Sequence, residues 1–245
     1  MGCTIAYVIV PLALVVFLGA VAQRVTGLGF ALIASPLLVL LVGPFEGILL
    51  ANMLALLVSA TVLATSWRNA DPRRALLLVP AGLVGVLPGV YAARHLPSGP
   101  LQVMIGLIIL VGLASTLVGP RFRFAATTPN TLGAGLTSGF MTATAAVGGP
   151  ALTFYAITTE WEQRRFAATA QISFATQAVL ALTLKGFGRM PGVVPTICLL
   201  IAIAAGLWVG HLAAGRVAPE RVRSLTVVIA LAGAAAAVVK GALAW

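Results

Sequence analysis

From Met1 to Gln23, and again from Leu225 to Val239, the chain carries no charged side chain. A run of that length and apolarity matches the hydrocarbon core of a bilayer, which needs about 20 apolar residues of helix to cross. Water-soluble helices bury one apolar stripe, whereas these runs are apolar on every face. With 60% hydrophobic and 8% charged residues, the chain cannot surround itself with a polar surface. The expectation is an all-α integral membrane protein, forming a single membrane domain over residues 1–245.

Gly, Pro and Arg divide the apolar stretches into segments. The first five are Thr4 to Ala22, Phe30 to Val42, Gly47 to Ser66, Ala75 to Ala93 and Leu101 to Val118. After a polar linker at 119–130 come Thr131 to Ala145, Pro150 to Thr159, Phe166 to Leu184, Val193 to Ala214 and Leu225 to Ala244. About 8–10 of these are expected to be transmembrane. Ala20-Val21-Ala22 has the small-x-small form of a signal-peptidase site, but no basic stretch precedes the apolar run, so Thr4 to Ala22 is kept as the first membrane helix.

The two sets of five resemble each other at an offset of 119 to 121 residues. Gly19 falls opposite Gly139, Gly29 opposite Gly149, Ala51-Asn52 opposite Ala170-Gln171, Pro72 opposite Pro191, Gly89 opposite Gly210, and Gly112 opposite Gly233. This pattern suggests internal repeats at 1–118 and 131–245. Lys and Arg stay on the cytoplasmic side during insertion, which sets orientation. Arg68, Arg73, Arg74, Arg121, Arg123, Arg164, Arg165, Arg216, Arg221 and Arg223 share one side, against Arg94, Lys185, Arg189 and Lys240 on the other. Both termini are then expected outside, with 119–130 a cytoplasmic linker. An odd number of crossings per half inverts the second half, giving two inverted five-segment repeats with Gly-rich helix breaks, an architecture of transporters.

The net charge of +10 lies in short loops and forms no stripe beside exposed aromatics, so it reads as a topology signal and nucleic acid is not an expected partner. Cys3 and Cys198 are too few for a disulfide framework or a thiolate metal site. No cofactor or metal is expected.

Two breaks concentrate the chemistry. Phe30 to Val42 would make only about 20 Å of helix against roughly 30 Å of hydrocarbon, and Pro150 to Thr159 is shorter. Each follows a glycine-containing break, Val25-Thr26-Gly27-Leu28-Gly29 and Ala146-Val147-Gly148-Gly149-Pro150. Helix ends at such breaks leave unpaired N–H groups and positive dipole ends that suit an anion. Irregular backbone at membrane depth is tolerated where protein or an aqueous cavity satisfies it, so paired breaks point to a central site for a small anionic substrate. Glycine also serves plain helix packing in membranes.

Gly27-Leu28-Gly29-Phe30 followed by Pro36-Leu37-Leu38, then Ala51-Asn52-Met53, and the counterpart Ser138-Gly139 leading to Gly148-Gly149-Pro150, resemble the TauE/SafE family of sulfite and organosulfonate transporters. The resemblance covers nearly the whole chain. The sequence departs from the family pattern at Phe30 and Ala31, and at Ala145 or Ala146, where further glycine is usual. The resemblance implies a secondary transporter of the bacterial inner membrane moving sulfite, sulfoacetate or a related sulfur anion. Residue chemistry alone reaches a small anion and no further.

The candidate substrate-binding residues are Arg24, Thr26, Gly27 and Gly29 at the first break, Thr144, Gly148 and Gly149 at the second, and the matched amides Asn52 and Gln171. Arg24 is the only charge before Phe45; it either pairs with an oxyanion through its guanidinium fork or anchors the helix end at the lipid interface. Membrane Asn and Gln more commonly bond to other helices, and Tyr155 reads first as a packed aromatic. Glu46 and Glu160 read as helix-start residues, so no proton relay is evident, and the sequence does not identify a coupling ion, whether proton or sodium. His95 and His211 lack the company of a metal ligand. An intramembrane enzyme is disfavoured because Asp71 is the sole aspartate and nothing near Ser138 forms a nucleophile motif. An anion channel or a non-transporting membrane subunit is the other alternative, and a homo-oligomer is compatible with either reading.

Overall fold

A computed structural model of the chain describes residues 2–27, 29–186, 192–214 and 216–244. Leu28 of the first break, and Arg189 and Pro191 of the sequence comparison, lie outside the described residues. Ten α-helices run through those described: α1 (Gly2–Thr26), α2 (Gly29–Val42), α3 (Pro44–Ser66), α4 (Pro72–His95), α5 (Ser98–Val118), α6 (Thr128–Ala145), α7 (Gly149–Thr158), α8 (Gln163–Lys185), α9 (Val193–Ala213) and α10 (Pro219–Leu243). Seven of them are long and apolar enough to cross a membrane: α1, α3, α4, α5, α8, α9 and α10. The protein is an all-helical integral membrane protein, and the helices match the segments read from the sequence within a few residues.

Local chemistry sets the boundaries. Gly43 takes φ +99°, a conformation L side chains rarely adopt, and Pro44 follows at the first position of α3, where its missing N–H costs nothing. Asp71 caps α4, accepting from the N–H groups of Arg73 and Arg74 at 3.1 and 3.3 Å. The sole aspartate is therefore a helix cap, tied also to Arg165 at 3.7 Å. The other acids, Glu46, Glu160, Glu162 and Glu220, likewise stand at helix ends.

Two helix pairs pack with especially close approach. Residues 17–24 of α1 run against α9, where a Cβ on Gly206 would lie 2.7 Å from the Ala20 Cβ. Residues 135–143 of α6 run against α4, where a Cβ on Gly89 would lie 2.7 Å from the Ala143 Cβ. Only glycine allows these approaches, the usual device by which small residues pack membrane helices. Another pairing crosses the halves: Gly112 of α5 faces Pro150 of α7, and Gly233 of α10 faces Pro36 of α2.

Charge is sorted to the two ends. Arg165 pairs with Asp71, Arg74 donates to Thr159 at 3.4 Å, and Arg123 pairs with Glu160, joining the loops that carry the arginines. Arg94 lies beside Pro44 at the other end, where Lys240 donates to the Leu40 carbonyl at 3.0 Å. Lys185 departs from its expected place in a loop. It is the last residue of α8, only 5% exposed, and its Nζ donates to the Ala143 carbonyl near the end of α6. A helix end gathers unpaired carbonyls and negative dipole charge, which attracts an ammonium inward.

Candidate functional site

The first break forms where α1 stops at Thr26 and Gly27 turns the chain at φ +84°. Gln23, one turn before, bridges the turn: its Nε2 donates to the Gly27 carbonyl at 2.8 Å, and its Oε1 accepts from the Phe30 N–H at 3.1 Å. One side chain thus satisfies the end of α1 and the start of α2. Gln171 of α8 donates a longer bond to the same Gly27 carbonyl, at 3.4 Å.

At the second break Ala146 takes the left-handed conformation, φ 55°, and its N–H bonds back to the Thr142 carbonyl at 2.9 Å. Side chains from other helices also reach the last carbonyls of α6. Asn52 Nδ2 donates to Thr142 at 3.2 Å, Lys185 to Ala143, and Ser35 to Ala145. Three residues after Ala146, α7 begins at Gly149 with no side-chain cap, so its first-turn N–H groups are not spent on a neighbouring side chain.

The breaks meet around one central cavity. Its walls include Gln23 and Phe30 from the first break, Gly148 and Gly149 from the second, and Asn52 and Gln171 from α3 and α8. The free volume is about 40 Å³, against the roughly 10–15 Å³ that one water needs. That is room for a few waters or one compact anion. Asn52 and Gln171 stand about 12 Å along their helices, counted from opposite ends of the bundle. The cavity is therefore at membrane depth.

Its polar groups are few and placed. Asn52 is 1% exposed and Gln171 fully buried, and the Oδ1 of one and the Oε1 of the other have no hydrogen-bond partner. A buried polar atom left unpaired costs about 1–3 kcal/mol, and water or a ligand in the cavity relieves that cost. Each NH₂ carries two hydrogens and spends one on a backbone carbonyl, so the second can be offered to an anion. Thr142 also reaches the wall, its hydroxyl donating to Gln177 Oε1 at 2.9 Å beside Ser138 at 3.2 Å.

Four of the residues singled out in the sequence line this cavity together: Asn52, Gln171, Gly148 and Gly149. Others lie near it without lining it. Gly27 makes the turn and presents its carbonyl to Gln23 and Gln171. Gly29 packs against Ala22, and Thr26 returns its hydroxyl to the Ala22 carbonyl at 2.8 Å; both line an adjoining cavity. Thr144 is fully buried with its hydroxyl on the Phe140 carbonyl. Arg24 is exposed, its Nη2 3.1 Å from His211 Nδ1 at the end of α9. Tyr155 packs edge-on against Trp161 and bonds to Thr131 at 2.7 Å. Among the polar lining residues, Ser59, Gln23 and Thr142 are not among the candidates read from the sequence. Gln23 and Thr142 each stand four residues before the turning residue of a break, Gly27 and Ala146, and that shared spacing was the available signal.

A family model described as "Sulfite exporter TauE/SafE" matches residues 12–237 of the chain. No curated protein and no solved structure matches it.

Proposed function

The chain belongs to the TauE/SafE family of sulfite exporters, and from that premise we propose that it is a secondary transporter of a small sulfur oxyanion, sulfite or an organosulfonate such as sulfoacetate. The observation that carries this reading is the central cavity where both helix breaks converge, with an uncapped helix start at Gly149 and the buried amides of Asn52 and Gln171 in its wall. Helix starts offer N–H donors and positive dipole charge, and compact anions with several acceptor oxygens use both.

In this reading the halves are inverted repeats that move against each other in alternating access, in the bacterial inner membrane with both termini outside. Reciprocal contacts support it. Asn52 of the first half bonds the second break, and its sequence counterpart Gln171 bonds the first. A proton or sodium gradient drives the cycle, and the lipid bilayer is the remaining partner.

Purified protein in liposomes tests this with labelled sulfite and a panel of sulfonates and carboxylates. Saturable uptake, accelerated by unlabelled anion on the far side, is expected for sulfur anions ahead of carboxylates. Flux that never saturates would indicate a channel. Cation uptake with no response to any sulfur anion would overturn the assignment.

A further inference from the structure

A second cavity adjoins the central one, and Gly149 lines both. Thr26 and Gly29 form one wall, Gly149 and Thr153 at the start of α7 another, and Gln163 and Arg223 stand at its mouth. Its free volume is about 150 Å³. The mouth opens at the arginine-bearing end of the bundle, because Gln163 begins α8 two residues before Arg165, which pairs with Asp71 at the start of α4.

The side chains around this cavity are suited to an anion. Arg223 is exposed and forms no ion pair or hydrogen bond with another described residue, and the side chains of Gln163 and Thr153 likewise bond to none. The nearest acids in sequence, Glu162 and Glu220, do not line the cavity. A guanidinium, an amide, a hydroxyl and the uncapped start of α7 therefore face one space with no carboxylate in its wall.

The opposite end of the bundle differs. A cavity also lies there beside Arg94, but it shares no lining residue with the central cavity. Leu101 of its wall belongs to the main apolar cluster, as do Phe30 and Val58 of the central wall, and Phe45 packs against that cluster.

We propose that the second cavity is the vestibule through which a small oxyanion reaches the central cavity from the arginine-bearing side, with Arg223 as the residue that captures it. In the conformation described the central cavity adjoins the one that opens to that side, and shares no wall with the cavity at the other end. This rests on the transport reading and adds the access route and the residue that serves it. Arg223 acts as a capture charge: a cation at a narrow mouth raises the local anion concentration and its rate of arrival.

Two measurements test it. In liposomes of uniform orientation, Arg223→Gln should raise the sulfite concentration for half-maximal uptake about five- to tenfold when sulfite is presented at the arginine-bearing face. Maximal rate should change little, and Arg223→Lys should restore most of the affinity. For sulfite presented at the other face the half-maximal concentration should be that of the unaltered chain, with the loss appearing in the maximal rate. An unchanged or equally weakened affinity at both faces would overturn the role of Arg223.

Independently of transport, Thr153→Cys in a chain lacking Cys3 and Cys198 should react with a membrane-impermeant methanethiosulfonate added at the arginine-bearing face alone. Reaction from the other face, or from neither, would overturn the vestibule. An unaltered chain that moves no anion would sink the transport reading, while the labelling result would still decide the access route.

Discussion

Asn52 of α3 donates from Nδ2 to the Thr142 carbonyl at 3.2 Å, so one buried amide both pins the end of α6 and stands in the wall of the central cavity. Removing it should therefore have two separable effects. Asn52→Ala should cost about 1 kcal/mol of stability for the lost bond. Loss of a donor to a charged substrate, worth about 1.5–3 kcal/mol, should weaken sulfite transport about tenfold or more. Asn52→Asp keeps the shape but brings negative charge into the cavity, and should abolish anion uptake. Melting in detergent and uptake in liposomes separate the effects. Asn52→Asp transporting at the full rate would remove Asn52 from the site.

The two matched break glycines should respond differently to the same substitution. A Cβ on Gly29 would fall 2.7 Å from the Ala22 Cβ and 2.9 Å from its carbonyl carbon, so Gly29→Leu must part α1 from α2. Overpacking of this kind costs about 1–3 kcal/mol or more, and a lower melting temperature and folded yield are expected. A Cβ on Gly149 meets nothing nearer than Phe174 Cζ at 4.0 Å. Gly149→Leu should fold like the unaltered chain yet lose transport, since its side chain occupies the cavity. A well-folded, fully active Gly149→Leu would exclude the anion from the start of α7.

Arg24 and Gln23 are adjacent on α1 and point apart, because successive helix residues are rotated by about 100°. Gln23 faces the break and Arg24 faces His211 across the α1–α9 contact. Arg24→Gln and Arg24→Lys should both transport sulfite within about twofold of the unaltered chain, the range expected of surface substitutions. A selective loss in Arg24→Gln, rescued by Arg24→Lys, would return Arg24 to the site.

These contrasts mark where sequence reading succeeds. Uncharged runs and their Gly and Pro boundaries set all ten helices, because the bilayer forces helix on any apolar stretch that enters it. The pairing of Asn52 with Gln171 was legible as a repeat, and both line the cavity. Which face of a helix a residue occupies near a break was not legible. Gln23 was therefore passed over and its neighbour Arg24 selected, since charge draws attention that rotation about the helix then redirects. Lys185 reads as a loop charge by position, and its burial depends on the carbonyls of α6, remote in sequence.

Topology is the broadest expectation to check, and the sorting of charge now sharpens it. With Lys185 buried, Arg94 and Lys240 are the described cations left at the end opposite the ten arginines. The bias that fixes orientation during insertion counts Lys and Arg in short loops near helix ends, and the arginines lie in such loops. Reporters fused after Arg73 and after Arg121 should therefore be active in the cytoplasm, and one fused at the C-terminus should be active outside. Replacing Arg121 and Arg123 together should not flip the protein, because the loops at 68–74, 164–165 and 216–223 keep the bias. A C-terminal reporter active in the cytoplasm would give the two halves the same orientation or an odd crossing between them. It would overturn the inverted-repeat arrangement on which alternating access at the paired breaks depends.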